Sequence, residues 1–165
     1  MTAMEFKSET VAVHLPHHEQ QELCDSRPAY RQGRKLTAVK VYTVNNESQH
    51  LLIYRVPAIN LENEVMTLCE RFGQVTSLRK LVSNHPNDEV FTDIYHVQYG
   101  KIRQARAAKR QMDTRSFYGS VLHVCYAPEL ETVQETRSKL INRRNEIAHY
   151  TGRKPRPPHV RQNKK

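Results

Sequence analysis

Tryptophan is absent from this 165-residue chain, and glycine, at 5 residues, is scarce. So few glycines exclude a collagen-like or glycine-rich low-complexity chain. Cysteine is scarcer still: Cys24, Cys69 and Cys125, an odd number with no CxxC pair. That is neither a disulfide framework nor a zinc ribbon, and a reducing compartment is the simpler expectation. No apolar run approaches the roughly 18 residues of a membrane span. The N-terminus lacks the apolar stretch of a leader peptide, so a soluble protein is expected. Absent too are G-x-x-x-x-G-K-S/T, H-E-x-x-H and a nucleophile elbow. His, Asp and Cys occur without triad spacing, which speaks against an enzyme.

What the chain has in excess is positive charge: 26 Lys and Arg against 17 Asp and Glu, net +9. A polyanion is the default partner of such a balance. The charge is unevenly placed. Residues 1–25 carry −4, 26–47 carry +4, 48–127 carry +3, 128–150 carry none and 151–165 carry +6. Basic extensions flanking a nearly balanced middle suggest a folded module with charged arms. Hydrophobic residues make up 38% of the chain, below the roughly 45–50% of compact domains, so part of it is not expected to pack.

Residues 1–25 lack a sustained period and hold Pro16 beside His14, His17 and His18. They read as loose, and three histidines without a fourth ligand are a poor metal site. Residues 26–36 read as an extended basic arm. Residues 37–44 alternate and are rich in β-branched side chains, predicting a strand that can pair as a hairpin with a second at 50–56. Pro57 closes the latter. Leu61, Val65, Leu68, Cys69 and Phe72 form one apolar stripe, predicting a helix capped by Asn60 and ended by Gly73. Strands are predicted over 75–82 and 90–99, a second helix over 101–113, and a last strand over 121–126. A charged, weakly amphipathic helix is predicted over 132–150, and a disordered tail over 151–165. The implied organisation is an extension (1–36), a module with a preceding strand (37–127), a helix (128–150) and a basic tail (151–165).

The order β-α-β-β-α-β across residues 48–127 is the ferredoxin-like plan, a four-stranded antiparallel sheet with both helices on one face. An α+β fold of this kind leaves the other sheet face open, a platform for single-stranded nucleic acid. The stretch resembles the RNA recognition motif. The resemblance rests on LLIYRV (51–56) and TDIYHVQY (92–99) at the two strand motifs. ERFGQV (70–75) after the first helix and FYGSVLHVCYA (117–127) at the last strand support it. The third-strand pattern K/R-G-F/Y-G/A-F-V-x-F/Y is degenerate here. Val97 and Tyr99 match, but Ile94 and His96 stand where stacking aromatics are usual.

Strand alternation sorts the faces. Leu51, Ile53, Tyr95, Val97, Tyr99, Leu122, Val124 and Tyr126 should face the helices. Leu52, Tyr54, Ile94, His96, His123 and Cys125 should lie on the open face. Base–aromatic stacking is worth roughly 1–3 kcal/mol per base, so one phenol and two imidazoles make a weak platform, and the alternative expectation is a face partly covered by the C-terminal helix or by a protein. RNA is therefore expected at Leu52, Tyr54, Ile94, His96 and His123, helped by Arg31, Arg34, Lys35 and Lys40 on the arm. On the second helix, Arg103, Arg106 and Arg110 can meet phosphate or simply face water. Arg115-Ser116-Phe117 resembles the Arg-x-Phe of RRM-like modules that bind proteins, with Glu62, Glu64 and Glu70 as acids on the first helix.

Two longer runs are more specific. Residues 24–53 (CDSRPAYRQGRKLTAVKVYTVNNESQHLLI) and 108–140 (AKRQMDTRSFYGSVLHVCYAPELETVQETRSKL) are similar to the RNA-binding protein 48 family. The resemblance implies a nuclear, non-catalytic subunit of the minor spliceosome that needs no cofactor. It would act with an armadillo-repeat partner and other spliceosome components on the capped 5′ end of the atac-type small nuclear RNA. Arg115, Phe117, Arg137 and Leu140 are the expected partner contacts. The alternative is a protein-interaction module whose RNA contact is incidental.

Overall fold

The structure, a computed structural model, describes residues 11–21, 42–83 and 89–153. The chain divides after Leu130 into two compact units. In the first unit the regular elements run β1 (His50–Pro57), α1 (Glu62–Glu70), β2 (Val75–Leu81), β3 (Thr92–Tyr99) and α2 (Ile102–Met112). A two-residue-stranded hairpin follows, β4 (Ser116–Phe117) and β5 (Ser120–Val121), and then β6 (His123–Tyr126). The sheet order is β2-β3-β1-β6, antiparallel throughout. This is the predicted α+β, ferredoxin-like RNA recognition motif plan.

The core forms where alternation placed it. Leu51, Ile53, Tyr95, Val97, Tyr99, Leu122, Val124 and Tyr126 pack with Val65, Leu68 and Cys69 of α1 and with Ala105, Ala108 and Met112 of α2. Tyr99 donates its hydroxyl to the Cys69 carbonyl at 3.0 Å, and burial pushes the Cys69 thiol up to about 12. That thiol is structural rather than reactive. One residue breaks the alternation. The register shifts between Ile53 and Val56, and Arg55 adopts φ 65. This bulge turns Val56 into the core, where strict alternation would point it outward.

Several expectations need correction. Asn60 does not cap α1: it has φ 62, and Leu61 holds the cap position without a side-chain hydrogen bond. The predicted strand at 37–44 is absent from its described part. Residues 42–44 instead lead into a turn, where Asn46 Oδ1 accepts from the Thr43 hydroxyl at 2.6 Å. Residues 37–41 lie outside the described residues. The last strand is split, because Ser116–Phe117 and Ser120–Val121 pair with each other before β6 begins. Nor are residues 11–20 loose: they lie against the sheet, as detailed below.

Gly73 does work at a close approach. Its φ is 147, and a Cβ there would come within 2.3 Å of Gln104 on α2. Gln104 Oε1 in turn accepts from the Lys101 amide at 3.1 Å, closing the start of α2.

The second unit is built on α3 (Val133–Thr151). Thr132 caps it, its hydroxyl accepting from the Glu135 amide at 3.2 Å. Glu135 returns the bond by accepting from the Thr132 amide at 2.7 Å. Gly152 ends the helix in the left-handed conformation, φ 64. Among the described residues no helix is long and apolar enough to cross a membrane.

Candidate nucleic-acid interface

The sheet face away from the helices is where an RNA platform would sit, and one end of it is occupied. Leu52, Leu81, Ile94, Cys125 and Ala127 form a second buried cluster, with Ala12 and Tyr54 packed on it. Ala12 belongs to the N-terminal segment, and its amide donates to the Val82 carbonyl at 2.9 Å. A single 3-10 turn, Pro16–His18, follows. His123 Nε2 donates to the His18 carbonyl at 2.5 Å. Arg55, freed from the ladder by the bulge, donates to Gln20 Oε1 and to Glu89 Oε1, each at 2.7 Å. The segment thus meets the sheet from β2 to β6.

His18 is the anchor of that contact, with a side chain 1% exposed. Its Nδ1 accepts from the Leu15 amide at 3.2 Å, so the ring proton sits on Nε2, which faces Glu129 Oε1 at 2.5 Å. His17 Nε2 reaches Glu129 Oε2 at 2.8 Å. Burial alone would raise the Glu129 carboxyl, but the two imidazoles and a backbone amide outweigh it and hold it below the usual range. His17, His18 and Glu129 bring ligand-type atoms within 4.8 Å of one another. A metal on His18 Nε2 would need the proton moved to Nδ1, against the Leu15 N–H, so hydrogen bonding is the chemistry this trio fits.

A recess of about 220 Å³ remains beside the segment, bordered by His14, Tyr54, Arg55, Ser83 and Thr92. Tyr54 stacks on His123, ring centres 5.6 Å apart. The other end of the face is polar. The His50 and His96 rings are parallel with their centres 5.2 Å apart, joined Nδ1 to Nε2 at 2.9 Å. Arg79 is the direct cross-strand partner of His96, and Ser77 that of Gln98, so both share this face. His96 and Gln98 are half-buried and Arg79 is exposed.

The predicted RNA residues therefore divide. Leu52, Ile94 and His123 are on the expected face but buried, at 2%, 5% and 8% exposure. That corrects the expectation of an open platform there, since apolar groups left on the face gather their own cover. Tyr54 and His96 keep partial exposure. Arg31, Arg34, Lys35 and Lys40 lie outside the described residues. On α2, Arg106 is committed to Glu47 through Nε at 2.8 Å, while Arg103 and Arg110 are exposed. Arg115 and Phe117 border a recess against α1. Arg137 and Leu140 stand exposed three residues apart on α3. Sequence reasoning missed His50 and Arg79, and weighed His18 only as one of three local histidines. The parity of each strand could have found His50 and Arg79; nothing local reveals the partner of His18, Glu129, 111 residues away.

No protein-family model matches the chain. Solved structures of Pes4 RRM3 and of the Rna15 RRM with bound RNA are similar at 19% and 13% identity, each with a TM-score of 0.43. They cover 51% and 63% of this chain, and 96% and 98% of their own. Proteins named RNA-binding protein 48 are far nearer in sequence. That of Danio rerio is 50% identical over 131 residues, 79% of this chain and 35% of its own length. That of Homo sapiens is 45% identical over 138 residues, 84% of this chain and 37% of its own length. The chain thus spans little more than a third of the curated relatives it matches. With that identity over the module and its flanks, the chain is homologous to about a third of the length of the proteins named RNA-binding protein 48.

Proposed function

We propose that this chain is a non-catalytic RNA-binding subunit of the minor spliceosome. In that role it helps hold the capped 5′ end of the atac-type small nuclear RNA, together with an armadillo-repeat partner, in the nucleus. The observation that carries the reading is the sequence identity of 45–50% to proteins named RNA-binding protein 48. The net charge of +9 and the polar sheet end with His50, His96 and Arg79 support an RNA contact. On this reading the arm residues Arg31, Arg34, Lys35 and Lys40 neutralise phosphate, while His96 meets a base at the polar end of the face; Tyr54 packs at the filled end. Arg115, Phe117, Arg137 and Leu140 are candidates for the partner.

The test is binding of capped and uncapped short RNAs across a salt series, by the chain alone and in complex with the armadillo-repeat protein. Capped RNA should bind more tightly in at least one form, and affinity should fall steeply with salt. If capping makes no difference in either form, the cap-end reading fails. One observation favours the second reading, a protein-interaction module: the apolar end of the sheet face is already filled by the chain's own residues 11–20.

A further inference from the structure

No residue of α3 is buried, although the helix is 19 residues long and capped at both ends. Helices in proteins gain most of their stability from an amphipathic face packed against something else. α3 has such a face. Val133, Leu140 and Ile147 recur at seven-residue spacing and so form one row, about 21 Å long. They are 76%, 43% and 50% exposed. Ile141, beside the row, is exposed too. A row this narrow is the seam by which one helix packs along another.

Charge is the second, independent observation. Arg137 and Arg144 stand four residues after Val133 and Leu140, hence on the same side of the helix. Neither has an ion pair or side-chain hydrogen bond among the described residues. Residues 131–165 hold three carboxylates, and each is already engaged. Glu131 meets Lys139 at 2.8 Å, Glu135 accepts from the Thr132 amide at 2.7 Å, and Glu146 meets Arg143 at 3.4 Å. Glu135 and Glu146 also share the far side of the helix. The apolar row is therefore flanked by cations that have no counter-charge to draw on in their own unit.

We propose that this face of α3 packs along an acidic amphipathic helix of a partner protein. Apolar side chains of that helix interdigitate with Val133, Leu140 and Ile147, and the Glu or Asp residues beside them pair with Arg137 and Arg144. A second copy of this chain is a poor occupant, because its own α3 would bring the same cations to the seam. Nucleic acid would meet the arginines but leave the apolar row in water. The inference goes beyond the partner contacts named above for Arg137 and Leu140: it states the chemistry of the partner's surface, and it rests on α3 alone, independently of where RNA sits.

The probe is a fluorescein-labelled helical peptide of about 21 residues, with Leu along one seam and Glu flanking it, titrated with the full chain. A control peptide carries Lys in place of every Glu. Saturable binding of the acidic peptide is expected, with the control at least about tenfold weaker. Leu140→Gln and the double variant Arg137→Glu, Arg144→Glu, none at a buried position, should each weaken it about tenfold with unchanged circular dichroism. The double variant should instead gain affinity for the Lys control, which a merely damaged helix would not. RNA affinity of Leu140→Gln should stay that of the parent. The proposal is overturned by an absence of saturable binding, by a Lys control that binds equally well, or by both variants binding like the parent. Self-association of the chain that Leu140→Gln abolishes, or a parallel loss of RNA and peptide binding, also overturns it.

Discussion

His18 and Glu129 join the two ends of the module: the buried imidazole faces the carboxylate, Nε2 to Oε1, at 2.5 Å across 111 residues of sequence. The contact fixes residues 11–20 on the sheet. His18→Ala should release them, because it removes the partner of the Leu15 amide as well as that of Glu129. The Ala12 amide, bonded to Val82, should then exchange hydrogen about tenfold faster or more. Amides of β3 should keep their protection. Uniform acceleration across the sheet would show that the segment is not a separable cover.

Asp113 sets an acid limit on stability. Burial alone would raise its carboxyl, but nearby His123, the Lys109 ammonium and the Val124 amide outweigh that and hold it at about 2, below the ordinary 3.8. A carboxyl with a lowered folded value stabilises the fold above its unfolded value and ceases to do so as pH falls through the folded one. Its contribution, about 1–2 kcal/mol after screening, should therefore vanish between about pH 4 and 2. Asp113→Asn keeps an acceptor for the Val124 amide but loses the charge. Urea unfolding of this variant should show a smaller drop over that window than the parent.

Leu52 and Ile94 should behave as core residues. Leu52→Ala or Ile94→Ala should lower unfolding free energy by about 2–4 kcal/mol, as read by urea denaturation. RNA affinity at a temperature where the variants remain folded should change less than about twofold. A selective loss of RNA affinity without loss of stability would put them back on the binding surface.

Gly73→Ala should destabilise the module by about 1–3 kcal/mol, because the added methyl meets Gln104 at 2.3 Å in a left-handed backbone. Gln104→Ala in the same background should recover part of the loss, since it removes the obstructing side chain but not the backbone strain. Absence of any recovery would mean the strain alone sets the cost.

Much of this architecture was legible in the sequence. The alternation of Tyr95, Val97 and Tyr99 against Ile94 and His96 assigned the faces of β3 correctly, since period two is imposed by the pleat itself. The apolar stripe of α1 was legible for the same kind of reason. What escaped were events without a local period. The bulge at Arg55 inverts parity at Val56, and the segment around His18 packs through contacts more than thirty residues away in sequence. The shortage of stacking aromatics on that face left a covered sheet as the alternative, but nothing in it pointed to the N-terminal segment around Ala12 and His18 as the cover.

The proposed RNA contact lies at the polar end of the sheet face, where Arg79 pairs across the strands with His96, rather than at the end filled by residues 11–20. The most direct measurement is the affinity of the Arg79→Glu, His96→Ala double variant for a labelled capped RNA, with folding checked by circular dichroism. Affinity should be at least about tenfold weaker than the parent's, from a lost stacking group and a reversed phosphate contact. An unchanged affinity in a folded variant would rule out RNA contact at Arg79 and His96.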